Sequence, residues 1–126
     1  MARKSIVISS INSMRIWDIN PKYLCNKHLV AEHSELHAVW NILTKSKSKS
    51  GYANHPETKR WQGKLRALFN RHEVLVKELI NHSYTHRSPL FKKLAKGKMK
   101  QNIFIDTPLK QKKILKEKPC ECFTER

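Results

Sequence analysis

Apolar residues recur at helical spacing in two long stretches of the chain. Between Asn26 and Leu43, the residues Leu29, Leu36, Trp40 and Leu43 are separated by whole turns, with His33 in the remaining place. That is the period of one buried helical stripe. A first long helix is predicted there, following an Asn20-Pro21 turn signal and capped by Asn26. In the second stretch Trp61, Leu65, Leu68, His72, Leu75 and Leu79 alternate between four- and three-residue steps. They predict a helix from about Thr58 to Ile80 that starts through His55-Pro56-Glu57-Thr58 and is weakened at Gly63 by ~1 kcal/mol relative to alanine. Lys45-Ser-Lys-Ser-Lys-Ser-Gly51 has no periodicity and reads as a solvated loop. Asn81 to Pro89 is a further loop, holding Tyr84, His86 and Arg87. Short helices are expected at Leu90–Lys100 and Pro108–Lys118, and no stretch alternates as a strand would. The expected fold is all-α, a compact bundle of two long helices plus shorter C-terminal ones.

Composition narrows the function class. A chain of 126 residues and 14.9 kDa supports one hydrophobic core and excludes large multidomain machinery. Lys and Arg number 26 against 10 Asp and Glu, a formal charge of +16. Residues 1–13 carry 2 basic and no acidic groups, 14–90 carry 13 and 6, and 91–126 carry 11 and 4, so the net charges are +2, +7 and +7. Such a field attracts polyanions, of which nucleic acid is the commonest. No apolar run approaches the ~20 residues of a membrane span, and Ser5 to Ile11 is too short and too serine-broken for a secretory segment. Three cysteines, an odd number, do not make the disulfide framework of a small secreted domain. A soluble intracellular protein in a reducing compartment is expected, cytoplasmic or nucleoid-associated.

Two segments carry a resemblance. Met14-Arg-Ile-Trp-Asp-Ile-Asn-Pro-Lys-Tyr-Leu24, followed by His28-Leu-Val-Ala-Glu-His-Ser-Glu-Leu36, resembles the pyrimidine-dimer DNA glycosylases, the family of the phage enzyme called endonuclease V. It continues through Lys64-Leu65, Leu68, Arg71, Leu75, Glu78 and Tyr84, covering roughly residues 14–87. Its most specific part is His-Leu-x-Ala-Glu-x-x-Glu-Leu. The resemblance implies a compact all-α enzyme that cuts DNA at ultraviolet photoproducts, using a terminal α-amine as nucleophile and a Glu beside it. Carried over by residue, the amine falls on Met14, the catalytic Glu on Glu35, a DNA-binding Arg on Arg15 and a histidine near the start of the first helix on His28. Here thirteen residues precede Met14, and Ser34 and Ala38 stand where the family holds phosphate-binding Arg. The aromatic-rich C-terminal segment of the phage enzyme has no clear counterpart in the Lys-rich tail. The expected organisation is a leader at 1–13, a glycosylase-like domain at 14–90 and a Lys-rich segment at 91–126.

The residues suit that chemistry. A glycosylase that also cuts the strand needs a neutral amine to attack the sugar C1′ and form an imine. With reference pKa values near 8 for an α-amine and 10.4 for Lys, about a quarter of the former and about a thousandth of the latter is neutral at pH 7.4. On a helical wheel Glu35 shares a row with His28, Glu32 and Val39 that flanks the apolar stripe without joining it. A carboxylate there can stabilise the cationic imine and assist loss of the C2′ proton, and neighbouring Glu32 would raise its pKa. Arg15, Lys22, Lys27, Lys64 and Arg71 are candidate phosphate contacts, with His28 beside them. Trp17, Trp40 and Trp61 read as core, with Trp17 or Tyr84 as an alternative wedge in the duplex. His33 and His37 have the spacing of a two-His metal site, but no third ligand is placed; Cys120-Glu-Cys122 reads as incidental. The expected enzyme is a lesion-binding monomer, a cyclobutane pyrimidine dimer glycosylase and abasic-site lyase with double-stranded DNA as partner, without membrane, metal or organic cofactor. The alternative is a noncatalytic basic nucleic-acid-binding module on the same fold.

Overall fold

A computed structural model describes residues 15–44, 55–86, 89–118 and 122. Among them the fold is all-α, with an isolated antiparallel bridge between Lys64 and Gly97 and no strand. The elements are a 3-10 turn at Pro21–Tyr23, α1 (Asn26–Thr44), α2 (Pro56–Lys59), α3 (Leu65–Asn81), a 3-10 turn at Lys92–Leu94 and α4 (Pro108–Glu117). The two long helices α1 and α3 are those the periodicity predicts, and they pack against each other.

Asn20 behaves as its turn signal requires, its side chain accepting the Lys22 N–H at 3.0 Å. Asn26 is the first helical residue instead of the cap. The Cys25 carbonyl accepts the first α1 bond, from Leu29 N–H at 2.9 Å, and the Asn26 side chain meets the His82 ring. The buried face of α1 comprises Leu29, Glu32, Leu36, Val39 and Trp40. Glu32 and Val39 of the flanking row are therefore inside the core, while His28 and Glu35 of the same row stay half-buried beside it. Arg71 of α3 makes this possible by forking onto both Glu32 oxygens at 2.7 and 3.0 Å, satisfying a carboxylate that could not be buried alone.

The second predicted helix is two helices. His55 caps α2 through its ring, with Nδ1 accepting the Glu57 N–H at 3.0 Å, and Pro56 fills the first helical position. The chain then turns at Gly63 (φ +73°) and restarts as α3 behind Lys64, which provides no side-chain cap. The exposed first-turn amides of α3 are met from the C-terminal segment: Arg66 N–H donates to Lys96 O at 2.9 Å and Ala67 N–H to Lys98 O at 3.1 Å. Lys98 N–H returns a bond to Gly63 O at 2.9 Å. These crossings require Gly97 (φ +92°), where a Cβ would stand 2.2 Å from Gly63 O. Gly97→Ala is expected to destabilise the protein by about 2–3 kcal/mol. Gly63→Ala, with open space around its Cβ position, is expected to cost only about 1 kcal/mol. Urea unfolding of both variants measures the difference, and equal midpoints would refute the crossing argument.

The Leu90–Lys100 helix expected from sequence is only the short 3-10 turn, because this backbone is committed to the α3 amides. The Pro108–Lys118 helix forms, with Thr107 accepting Lys110 N–H at 3.3 Å and Pro108 at the first position. Leu115 and Gln111 of α4 are buried, and Leu115, Ala95 and Cys122 join the core built by Ile16, Leu24, Leu36, Leu68, Leu75 and the three tryptophans. The Lys-rich segment thus supplies part of the interior.

Candidate active site

Glu35 projects from the middle of α1 toward the segment that precedes the helix. Its Oε1 accepts the backbone N–H of Arg15 at 2.8 Å. Burial pushes the Glu35 carboxyl up to about 7; the Arg15 N–H opposes the shift, while Glu32 and Glu57 reinforce it. The Arg15 guanidinium lies 4.9 Å from the centre of the Trp17 ring and pairs with Asp106 at 2.9 Å. Trp17 meets the His28 ring edge-on at 6.0 Å. Arg15, His28 and Glu35, distant in sequence, therefore share one neighbourhood. Met14 lies outside the described residues, as do the Lys45–Gly51 loop, Arg87 and Cys120.

The segment carrying Arg15 is fixed by Arg60, a residue outside the family motif. Arg60, with a side chain only 3% exposed, satisfies its guanidinium by donating to Glu57 (2.6 Å), both Asp18 oxygens (3.1 and 2.9 Å) and the carbonyls of Ile16 (2.7 Å) and Ile103 (2.8 Å). Gln111 extends this network, accepting the Asp18 N–H at 2.7 Å and donating to Asp18 Oδ2 at 2.9 Å and Asp106 O at 2.8 Å. Four chain segments thus converge on the backbone that follows Met14. The available sequence signal was Arg60 beside Glu57 and Trp61 at helical spacing; the contacts with Asp18 and Ile103 have no local signature.

The candidate phosphate contacts divide. Lys22 and Lys27 are exposed, Lys22 with its ammonium 5.3 Å from the Tyr23 ring. Lys64 is buried and donates to Gln101 Oε1 at 2.7 Å. Arg71 is engaged by Glu32 and by the Ile19 carbonyl at 2.7 Å. Lys64 is inside because α3 restarts there, and half-buried Arg71 faces Glu32 from the edge of the core, so the charge of each is engaged in holding the fold. Arg71, Lys22 and Lys77 line an open cleft of about 500 Å³ between the first segment and α3, and Lys110, Lys112, Lys113 and Lys116 line another on α4. Tyr84 is 40% exposed and the three tryptophans are buried, as core residues should be.

Two groups carry donors close enough to share a cation: Cys25, His28 and Cys122, and His33, His37, His72 and His86. In the first, His28 Nδ1 lies 3.3 Å from Cys25 Sγ and 3.2 Å from Cys122 Sγ, and Cys25 N–H donates to Cys122 Sγ at 3.1 Å. Burial, then Lys118 and Lys27, lower the His28 pKa. Its Nδ1 faces the two thiols.

Among known proteins, the family model described as pyrimidine dimer DNA glycosylase matches residues 14–92. No curated protein and no solved structure matches the chain.

Proposed function

The chain belongs to the pyrimidine dimer DNA glycosylase family, and from that premise we propose that it excises cyclobutane pyrimidine dimers from duplex DNA and then cuts the strand. The α-amine of Met14, when it is the chain terminus, attacks C1′ and the N-glycosidic bond breaks, its electron pair leaving with the base, which stays joined to its neighbour through the cyclobutane ring; the amine nitrogen then loses a proton as the C1′–O4′ bond opens, with O4′ taking up a proton, and the nitrogen becomes an imine with C1′. Glu35 then takes the C2′ proton as the C3′–oxygen bond to phosphate breaks. The observation that carries this reading is the hydrogen bond from Arg15 N–H to Glu35 Oε1 at 2.8 Å. That amide is joined to the Met14 α-nitrogen through only the Met14 Cα and carbonyl carbon, so a carboxylate docked on it is one residue from the amine. A carboxyl raised to about 7 is divided between its acid and base forms at neutral pH, which suits a group that both gives and takes protons. Exposed Lys22 and Lys27, and exposed Lys110 and Lys113 of α4, face solvent where phosphate can reach them, and Arg15, on its Trp17 platform and paired with Asp106, would contact phosphate by exchanging that carboxylate.

A chain begun at Met14 is expected to form a covalent adduct with abasic-site DNA when borohydride reduces the imine, at least about tenfold more than the chain begun at Met1, whose Met14 nitrogen is an amide. Gel shift of the reduced adduct measures it. Equal trapping would transfer the nucleophile to a lysine or to the other terminus. No trapping by either, with damaged DNA still bound, would favour a noncatalytic DNA-binding module.

A further inference from the structure

On the face of α1 opposite Glu35, four histidines meet. Glu35 sits midway between His33 and His37, about 200° around the helix axis from each. His33 and His37 are one turn apart on α1, fully buried His72 comes from the core stripe of α3, and His86 comes from the segment that follows α3. One donor nitrogen from each lies within 4.8 Å of the other three. The His33 ring centre lies 4.6, 5.1 and 5.0 Å from those of His37, His72 and His86, and the His72 centre lies 4.9 Å from His37 and 5.1 Å from His86.

Hydrophobic packing alone does not explain the arrangement. His33 Nε2 and His86 Nε2 are buried and have no hydrogen-bond partner among the described residues, a costly condition for a ring nitrogen. His37 Nε2 and His72 Nε2 stand 3.1 Å apart. Two imidazole nitrogens on one tetrahedral ion, each about 2.05 Å from it, would stand about 3.3 Å apart. His72 Nδ1 lies 2.9 Å from Glu73 Oε2, the carboxylate contact that commonly orients a metal-bound imidazole from behind.

We propose that His33, His37, His72 and His86 form a closed four-imidazole site for one zinc-class divalent ion, which fastens the segment after α3 onto the α1–α3 pair. Imidazole donors suit zinc and its transition-metal neighbours and exclude magnesium and calcium, which take oxygen ligands. Zinc has no geometric preference of its own, and four protein ligands leave it no open position for water, so the ion is structural. His33, His37 and His72 form a preorganised three-nitrogen face; His86 closes it. The proposal does not depend on the glycosylase chemistry, because Glu35 points the other way.

The test loads the full-length chain with zinc sulfate after chelation, desalts it and counts metal by mass spectrometry. About one zinc per chain is expected, or about two if the Cys25, His28 and Cys122 group also binds. Loading with cobalt should give the visible bands of a tetrahedral nitrogen site, and in a Cys25→Ser/Cys122→Ser chain these bands should persist. His33→Ala and His86→Gln should each weaken zinc retention at least tenfold and abolish the rise in thermal midpoint that zinc gives the wild type. His86→Gln alters a residue outside the helices, so its folding is checked by circular dichroism and the variant remains informative if His33→Ala misfolds. The proposal fails if the wild type retains less than about a tenth of an equivalent. It fails equally if all metal leaves with the cysteines, or if His86→Gln keeps the full zinc content and the full thermal shift.

Discussion

Glu35→Gln, in a chain begun at Met14, is expected to lower single-turnover strand cleavage at an abasic site by ~10²-fold or more while leaving affinity for damaged DNA nearly unchanged. Glutamine retains the shape of the side chain and an oxygen to accept the Arg15 N–H, so the N-terminal segment remains docked. What it lacks is a carboxylate that can neutralise the imine and take the C2′ proton. In the wild type, elimination should rise with pH near 7 as Glu35 ionises, since the base form is the working form and its carboxyl is raised to about 7. The variant should lack that limb and retain only the later one of the amine. Stability should move the other way: a carboxyl raised by folding adds stability that is present below its unfolded pKa and lost as pH rises through about 7. At pH 8, Glu35→Gln should therefore be no less stable than wild type. Wild-type cleavage by Glu35→Gln would make Glu35 a packing residue. A variant inactive because it unfolds at pH 8 would overturn the docking argument instead.

Arg60→Met should cost about 3–5 kcal/mol of unfolding free energy, measured by urea denaturation at pH 7. The substitution preserves much of the aliphatic bulk over Trp61 but strips the buried partner from Glu57 and Asp18, whose side chains are 1% and 10% exposed. Two carboxylates then remain in a poorly solvated pocket, and the carbonyls of Ile16 and Ile103 lose their donors. Adding Glu57→Gln should recover part of the loss by removing one stranded charge, the sign of direct coupling between the two residues. A loss below about 1 kcal/mol would mean that the neighbouring backbone, not the guanidinium, holds these segments together.

The two long helices were legible because they are amphipathic: Leu29 and Leu36 on α1, and Leu68, Leu75 and Leu79 on α3, are core residues at the spacing that announces them. The break at Gly63 was visible only as a weak residue, because its cause lies far along the chain at Gly97. Similarly, a helical wheel put Glu32 on the flank, since nothing local reveals that Arg71 will reach across to it. Lys64 and Arg71 read as surface cations for the same reason: sequence shows a charge but not its partner. In the candidate site, Arg15, His28 and Glu35 could be selected through the family motif, whereas the Arg60 and Gln111 scaffold that positions Arg15 is long-range throughout. The histidine cluster had half a signature. His33 and His37 declare themselves by spacing, and His72 by occupying an apolar stripe, but only the turn after α3 brings in His86.

The bonds that hold the N-terminal segment also impose an order of assembly. Arg15 pairs with Asp106, Asp18 with Gln111 and Cys25 with Cys122, and the first turn of α3 takes its acceptors from Lys96 and Lys98. Each of these contacts joins a part of the chain synthesised early to one synthesised later, so none can close until its partner among residues 96–122 has left the ribosome. The helix pair can form first from local contacts, but the backbone beside Glu35 then waits for the final helix to lock it. A translation product stopped before Lys96 would carry every residue of the proposed chemistry without the framework that sets their distances, so synthesis itself delays the site until that later segment has emerged.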